Sequence, residues 1–279
     1  MQTSFKLGLI GYPLEHSLSP KIHNTALKAC SLDGNYSLFP IHPDDKQGLK
    51  DLLDRVRAGE IHGLNVTIPH KQNVIPLLDE FTPIAQTVGA VNTIYFREHK
   101  LIGDNTDAPG FLADLKRFIG NRELGIGDRK SALVLGAGGS ARAVVYALIT
   151  DGWNVIIIAR RLEQAQQLVS SFKNHELQIT NFKDFQLSTC NLLVNATPLG
   201  TPPNIDLSPL PENLLLPSNI LIYDLVYNPR ETKLVKDARI QGLNATTGLG
   251  MLIEQAALAF DIWTGHNPPR DVLYNSVVE

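Results

Sequence analysis

The sequence predicts an α/β protein of two domains, and three observations lead there. The chain has 279 residues, and at about 150 residues per domain that makes roughly two globular units. Apolar runs of strand length alternate with amphipathic segments of helix length almost from end to end, the pattern of helices laid on a largely parallel sheet. From Ser131 onward the alternation tightens into a β-α-β rhythm of the doubly wound kind. The reading is an N-terminal α/β domain over residues 1–106, joined by 248–279, around a doubly wound domain over 107–247, with a C-terminal helix returning to the first domain.

In chain order, residues 5–10 read as a first strand that ends in Gly11-Tyr12-Pro13. Ser19-Pro20 offers a cap followed by proline at the first helical position, opening a helix to about Ala29. A second strand over 36–41, a helix over 44–58 and a third strand over 63–68, stopped by Pro69, follow. Residues 90–96 and 100–103 flank Arg97-Glu98-His99 as a hairpin. A helix over 106–119 leaves the first unit, and 120–130, which holds three glycines, is a linker. Further strands are expected at 132–135, 154–158, 192–195 and 220–225, with helices over 139–150 and after Arg161. The final strong helix runs from 248 to about 264.

Composition excludes several classes of function. Lys and Arg number 25 against 28 Asp and Glu, a net charge of −3, so there is no basic field for a nucleic-acid backbone. The two cysteines, Cys30 and Cys190, form no C-x-x-C pair, and no H-E-x-x-H occurs, which disfavours a disulfide framework or a zinc site. No apolar run approaches the ~20 residues that span a bilayer, and the start has no apolar leader. The expectation is a soluble cytoplasmic protein without metal, nucleic acid or membrane as partner, acting as a monomer or homodimer on a small molecule.

Gly136-Ala137-Gly138-Gly139-Ser140-Ala141 follows an apolar strand and opens a helix, so G-x-G-x-x-A sits in the strand-turn-helix context of a Rossmann dinucleotide site. Gly136 permits the tight turn, Gly138 lets backbone approach a pyrophosphate, and Ala141 allows close helix packing. The second strand ends in Ala159-Arg160-Arg161, with no acid to hold ribose hydroxyls. Guanidiniums stand where a 2′-phosphate would lie, which favours NADP, although a solvated helix start would look the same.

Three polar clusters in the first half each have a plain structural reading. Ser17 and Ser19 present hydroxyls at a strand-to-helix turn that can hold a carboxylate, but serine is also a good cap. Asn65 and Thr67 point to one side of a strand whose end delivers Lys71, which alone would be a surface charge. Asp107 begins a helix, where an acid is ordinarily a favourable first-turn charge. Gln255 puts an amide on the apolar stripe of Leu252, Ala256 and Ala259, and a core glutamine bonded to protein would do the same.

In order, the blocks S-L-S-P, N-V-T-I-P-H-K, G-A-V-N-T, G-D-N-T-D, G-A-G-G-S-A, N-A-T-P-L-G and G-L-G-M-L-I-E-Q-A resemble the shikimate dehydrogenase family over nearly the whole chain. The resemblance implies NADPH-dependent reduction of 3-dehydroshikimate to shikimate, on the chorismate route to aromatic amino acids. It implies that Lys71 and Asp107 form the catalytic pair, and that Ser17, Ser19, Asn65, Thr67, Asn92, Tyr227 and Gln255 bind substrate. For the cofactor it implies Gly136, Ala137, Gly138, Gly139 and Ser140 at the pyrophosphate turn, Ala159, Arg160 and Arg161 at the 2′-phosphate, and Leu225 and Gly248 at the nicotinamide. The active site would lie in the cleft between the domains. The sequence departs from the family where N-R-T becomes Ala159-Arg160-Arg161 and where a further basic residue is matched by Gln164. Two rival readings remain: a quinate/shikimate dehydrogenase using both NAD and NADP, and a non-catalytic nucleotide-responsive binding protein. Against the second, Lys71, Asp107 and Gln255 all keep the functional side chain.

Overall fold

A computed structural model describes residues 4–120, 122, 130–172, 175, 177–181, 187–212 and 214–278. The chain divides into two compact units, Met1–Gly110 with Leu252–Glu279, and Phe111–Met251.

The first unit contains β1 (Phe5–Gly11), α1 (Ser19–Ala29), β2 (Gly34–Pro40), α2 (Lys46–Arg57), β3 (Gly63–Val66), β4 (Glu80–Phe81), α3 (Pro83–Val88), β5 (Thr93–Arg97), β6 (Lys100–Asp104) and the start of α4 (Asp107–Ile119). Its sheet has the order β2-β1-β3-β5-β6-β4. Because α1 and α2 are crossover helices, β1 runs parallel to both β2 and β3. β5 is antiparallel to β3 and β6, so this sheet is mixed. The β5–β6 hairpin closes through Glu98 and His99, both with positive φ (51° and 61°), the backbone a tight two-residue turn needs.

α2 is capped by Asp45, whose carboxylate accepts the Gly48 N–H at 2.8 Å. Its buried stripe Leu49, Leu52, Leu53 and Val56 joins Ile10, Leu64, Val66, Ile94 and Leu101 in one core. Several boundaries depart from the sequence reading by one to three residues, and two of them bear on the candidate site residues. Ser19 is the first helical residue of α1 rather than its cap, with Leu18 at the cap position making no side-chain bond. The Ser19 N–H turns instead to Ser17 Oγ at 3.3 Å. β3 ends at Val66 rather than 68, because the chain turns there: His70 N–H donates back to Thr67 O at 2.9 Å.

The second unit follows with β7 (Ser131–Leu135), α5 (Gly139–Thr150), β8 (Asn154–Ile158), α6 (Leu162–Ser171), β9 (Leu177–Thr180), β10 (Leu192–Asn195), β11 (Leu221–Asp224), α7 (Lys233–Ile240) and β12 (Ala245–Thr247). The sheet order β12-β11-β10-β7-β8-β9, parallel throughout, is the doubly wound order of dinucleotide-binding folds. β7 and β10 are adjacent in space although distant in sequence, so the topological switch point lies where β7 ends at Leu135 and β10 at Asn195. Of the expected linker, only Gly120, Arg122 and Lys130 are described, and the rest lies outside the described residues.

α8 (Leu249–Thr264) starts in the second unit and ends in the first, and α9 (Arg270–Val278) packs against α1. Among the described residues no helix is long and apolar enough to cross a membrane.

Candidate active site

The strongest chemical feature of the first unit is a buried ion pair. Lys71 Nζ donates to Asp107 Oδ2 at 2.5 Å, with the two side chains only 11% and 7% exposed. Burying two charges is costly unless each is further satisfied, and the surroundings show how this is met. Asn92 Nδ2 donates to the other carboxylate oxygen, Asp107 Oδ1, at 2.8 Å. The backbone carbonyl of Lys71 accepts from Val91 N–H at 2.8 Å, tying the turn after β3 to the residue beside Asn92. Asp107 is the first residue of α4, where a negative charge meets the positive helix end.

Asn92 is itself held firmly. Its Oδ1 accepts from Thr106 N–H at 2.7 Å and from Thr93 Oγ1 at 3.0 Å. Its Nδ2 also reaches Gln255 Oε1 at 3.3 Å, while Gln255 Nε2 donates to Leu252 O at 2.8 Å. The amide predicted on the apolar stripe of α8 therefore joins the Lys71–Asp107 cluster. Gly110 makes that approach possible: a Cβ there would lie 2.8 Å from the Gln255 backbone nitrogen. Sequence reasoning passed over Gly110 and Thr106, although a glycine in the interior of a helix is a signal of close packing.

The other substrate-binding candidates are placed differently. Thr67 is half-buried with its methyl toward Gly11, and its hydroxyl has no hydrogen-bond partner among the described residues. Ser17 is half-buried and Ser19 buried in the first turn of α1. Asn65 is buried in β3, with both ends of its amide bonded to protein. Tyr227 belongs to the second unit, where burial raises its phenol above the usual tyrosine range.

In the second unit the glycine turn follows β7 and leads into α5. Gly136 has φ +112°, and a Cβ there would meet the Ala196 backbone carbonyl at 3.0 Å. A Cβ on Gly138 would meet nothing within 4 Å. Gly138 occupies the cap position of α5, is exposed, and makes no side-chain cap bond. Gly139 and Ser140 open α5, and Ala141, fully buried, packs it on the sheet. Arg160 and Arg161 are exposed after β8 and bond to no carboxylate among the described residues, while Ala159 is half-buried. This arrangement suits an anionic dinucleotide with an additional phosphate.

Two strands away from β7 in the same sheet, Asp224 at the end of β11 was not singled out by sequence. Its carboxylate accepts from Thr232 Oγ1 at 2.6 Å, Asn195 Nδ2 at 2.8 Å and Val226 N–H at 3.0 Å. Burial pushes its pKa up to about 6, against the pull of those three donors. Asn195 Oδ1 in turn accepts from Thr197 N–H and Oγ1, so Asp224 ties together the segments that follow β10 and β11. Gly248, just before α8, can take no side chain, since a Cβ would lie 2.3 Å from Leu225 O.

Fold and site together define a two-unit α/β protein that pairs a doubly wound dinucleotide-binding unit with a unit carrying a buried Lys–Asp pair. Family models match three stretches: the shikimate dehydrogenase substrate binding domain over residues 9–94, shikimate / quinate 5-dehydrogenase over 119–230, and the shikimate 5'-dehydrogenase C-terminal domain over 248–277. The chain is 41% identical over 274 residues to a shikimate dehydrogenase (NADP(+)) of Carboxydothermus hydrogenoformans, covering 97% of this chain and 95% of that one. It superposes on shikimate 5-dehydrogenase from Thermus thermophilus, solved with NADP(H) and shikimate, at a TM-score of 0.86 and 38% identity, covering 98% of both chains. It also matches quinate dehydrogenase from Corynebacterium glutamicum, solved with NAD, at a TM-score of 0.87 and 31% identity, covering 99% of both. The chain belongs to the shikimate dehydrogenase family.

Proposed function

We propose that this chain catalyses the reversible NADPH-dependent reduction of 3-dehydroshikimate to shikimate in the cytoplasm, on the chorismate route to aromatic amino acids. The observation that carries this reading is the Lys71–Asp107 pair, 2.5 Å apart and buried with Asn92 on its second oxygen. NADPH, when bound, supplies the hydride. The resulting negative charge on the substrate oxygen needs a cation and a proton, and the Lys71 ammonium provides both. Asp107 accepts from Lys71 and from Asn92 and so orients the ammonium.

Thr67, Asn92 and Gln255 serve the substrate hydroxyls, and Ser17, Ser19 and Tyr227 its carboxylate. The N-terminus of α5 holds the pyrophosphate, with Gly136 to Ser140 shaping the turn, and Leu225 and Gly248 lie at the nicotinamide end. Arg160, unpaired by any acid of the described chain, takes the 2′-phosphate, with Arg161 beside it.

Lys71→Ala is expected to lower kcat by ~10²-fold or more, with a much smaller change in shikimate KM, as the loss of a transition-state proton donor requires. Asp107→Asn should act in the same direction. Steady-state rates on both variants check this. Retained kcat with a raised KM would make Lys71 a binding residue instead.

A further inference from the structure

A second buried chain of contacts begins on α1 and leads to Asn92. His23 is fully buried, and its ring stacks on Tyr36 with centroids 4.3 Å apart and planes 2° from parallel. Trp263 and Phe260 of α8 close in on the same imidazole, at 5.4 and 6.4 Å. The neighbouring residue, Asn24, accepts the Tyr36 backbone N–H at 3.0 Å through Oδ1. Tyr36 is thus fixed by its ring and by its backbone, and its hydroxyl donates to Asn65 Oδ1 at 2.8 Å.

Asn65 hands the constraint on. Its Nδ2 donates to the backbone carbonyl of Asn92 at 3.2 Å, and more weakly to Thr93 Oγ1 at 3.4 Å. That carbonyl also takes the Val66 N–H at 2.8 Å, so β3 holds Asn92 by two donors. Thr93 Oγ1 donates to Asn92 Oδ1, and Asn92 Nδ2 donates to Asp107. Asn65 Nδ2 finds both of these acceptors within the protein, and only 4% of the residue is exposed.

We propose that Tyr36 and Asn65 are positioning residues that set Asn92, and through it the Lys71–Asp107 pair, in the geometry the reduction needs. The inference rests on the reaction proposed above and gives Asn65 a different task from substrate binding. Its physical basis is pre-organisation. The Asn92 amide has partners on both of its atoms, and a small rotation would release the Asp107 oxygen it holds. A misplacement of the order of 1 Å at a reacting group costs up to about 10²-fold in rate.

Tyr36→Phe tests this directly, because it removes one hydroxyl and leaves the ring stacked on His23. Expected is a fall in kcat of about tenfold, with KM for shikimate and for NADP within about twofold of the parent, since no ligand contact is lost. Asn65→Ala should show the same split, and the double variant should be no slower than Asn65→Ala alone, because both act through one chain. A Tyr36→Phe enzyme with unchanged kcat overturns the proposal, and so does a loss confined to shikimate KM, which would make Asn65 a substrate ligand. A second readout needs no turnover: in the ligand-free protein, the side-chain amide NMR signals of Asn92 should move in Tyr36→Phe. Signals that stay in place overturn the proposal as well. A parent that does not oxidise shikimate with NADP refutes the reaction, while the Asn92 signals still decide the positioning chain.

Discussion

His23 shows at the residue scale how a buried side chain couples local packing to pH. Neither ring nitrogen has a hydrogen-bond partner among the described residues. Burial lowers its pKa to about 3 from 6.5, opposed only in part by the nearby Asn65 amide, which stops short of hydrogen-bond geometry. Between those values the unfolded chain binds the proton that the folded one refuses. The contribution of His23 is therefore fully present above pH 6.5 and is lost as pH falls toward 3. At pH 5 the loss is about 2 kcal/mol, at about 1.4 kcal/mol per unit. Asp224 works the other way: with its pKa raised to about 6, its contribution is present below its unfolded value and lost as pH rises through 6. The clean measurement is thus a difference. His23→Phe keeps an aromatic ring against Tyr36, and its stability relative to the parent should improve by about 2 kcal/mol between pH 7.5 and pH 5 in urea unfolding. A constant difference across that range would mean that His23 is not held neutral. Residues at this scale were unevenly legible. Lys71, Asn92 and Asp107 stand in short motifs, whereas the Tyr36–Asn65 bond joins two strands 29 residues apart and leaves no periodic trace.

At the scale of elements, the strands of the second unit were the easiest to read, because a parallel strand covered on both faces is a continuous apolar run. Asn-Val-Ile-Ile-Ile of β8 and Leu-Leu-Val-Asn of β10 begin and end where the sequence places them. Short elements were not legible: β4 has two residues and α3 six, too few for either periodicity to register. The hydroxyl of Ser19 looked like a cap because serine before proline usually is one, but here the helix begins one residue earlier than that pattern implies. The turn between β7 and α5 was legible for a steric reason, and it can be tested as one. Gly136→Ala forces a side chain onto a φ of +112° and against the Ala196 carbonyl. It should cost about 1–3 kcal/mol of stability by denaturant unfolding, and weaken dinucleotide binding measured by titration. An alanine variant as stable as the parent, with the same affinity, would show that this turn is not constrained as described.

For the whole molecule, the doubly wound unit and the returning terminal helix follow from the alternation of apolar runs. The limits of the two units leave no such mark. They fall after Gly110 inside α4 and after Met251 inside α8, where the helical pattern runs on without a change in composition. What unites the units is the reaction proposed for them, in which one holds a polyol carboxylate around Lys71 and Asp107 and the other a phosphorylated dinucleotide at the α5 terminus. The most direct test is the initial rate of reduced-nicotinamide formation from shikimate by the full chain, with NADP and with NAD as alternative acceptors. Charge-assisted pairing of Arg160 with a 2′-phosphate, at about 1.5–3 kcal/mol, predicts turnover with kcat/KM some ~10- to 150-fold higher for NADP. A folded protein that forms no reduced nicotinamide from shikimate with either acceptor would contradict the account, and equal kcat/KM for the two would remove the role given to Arg160.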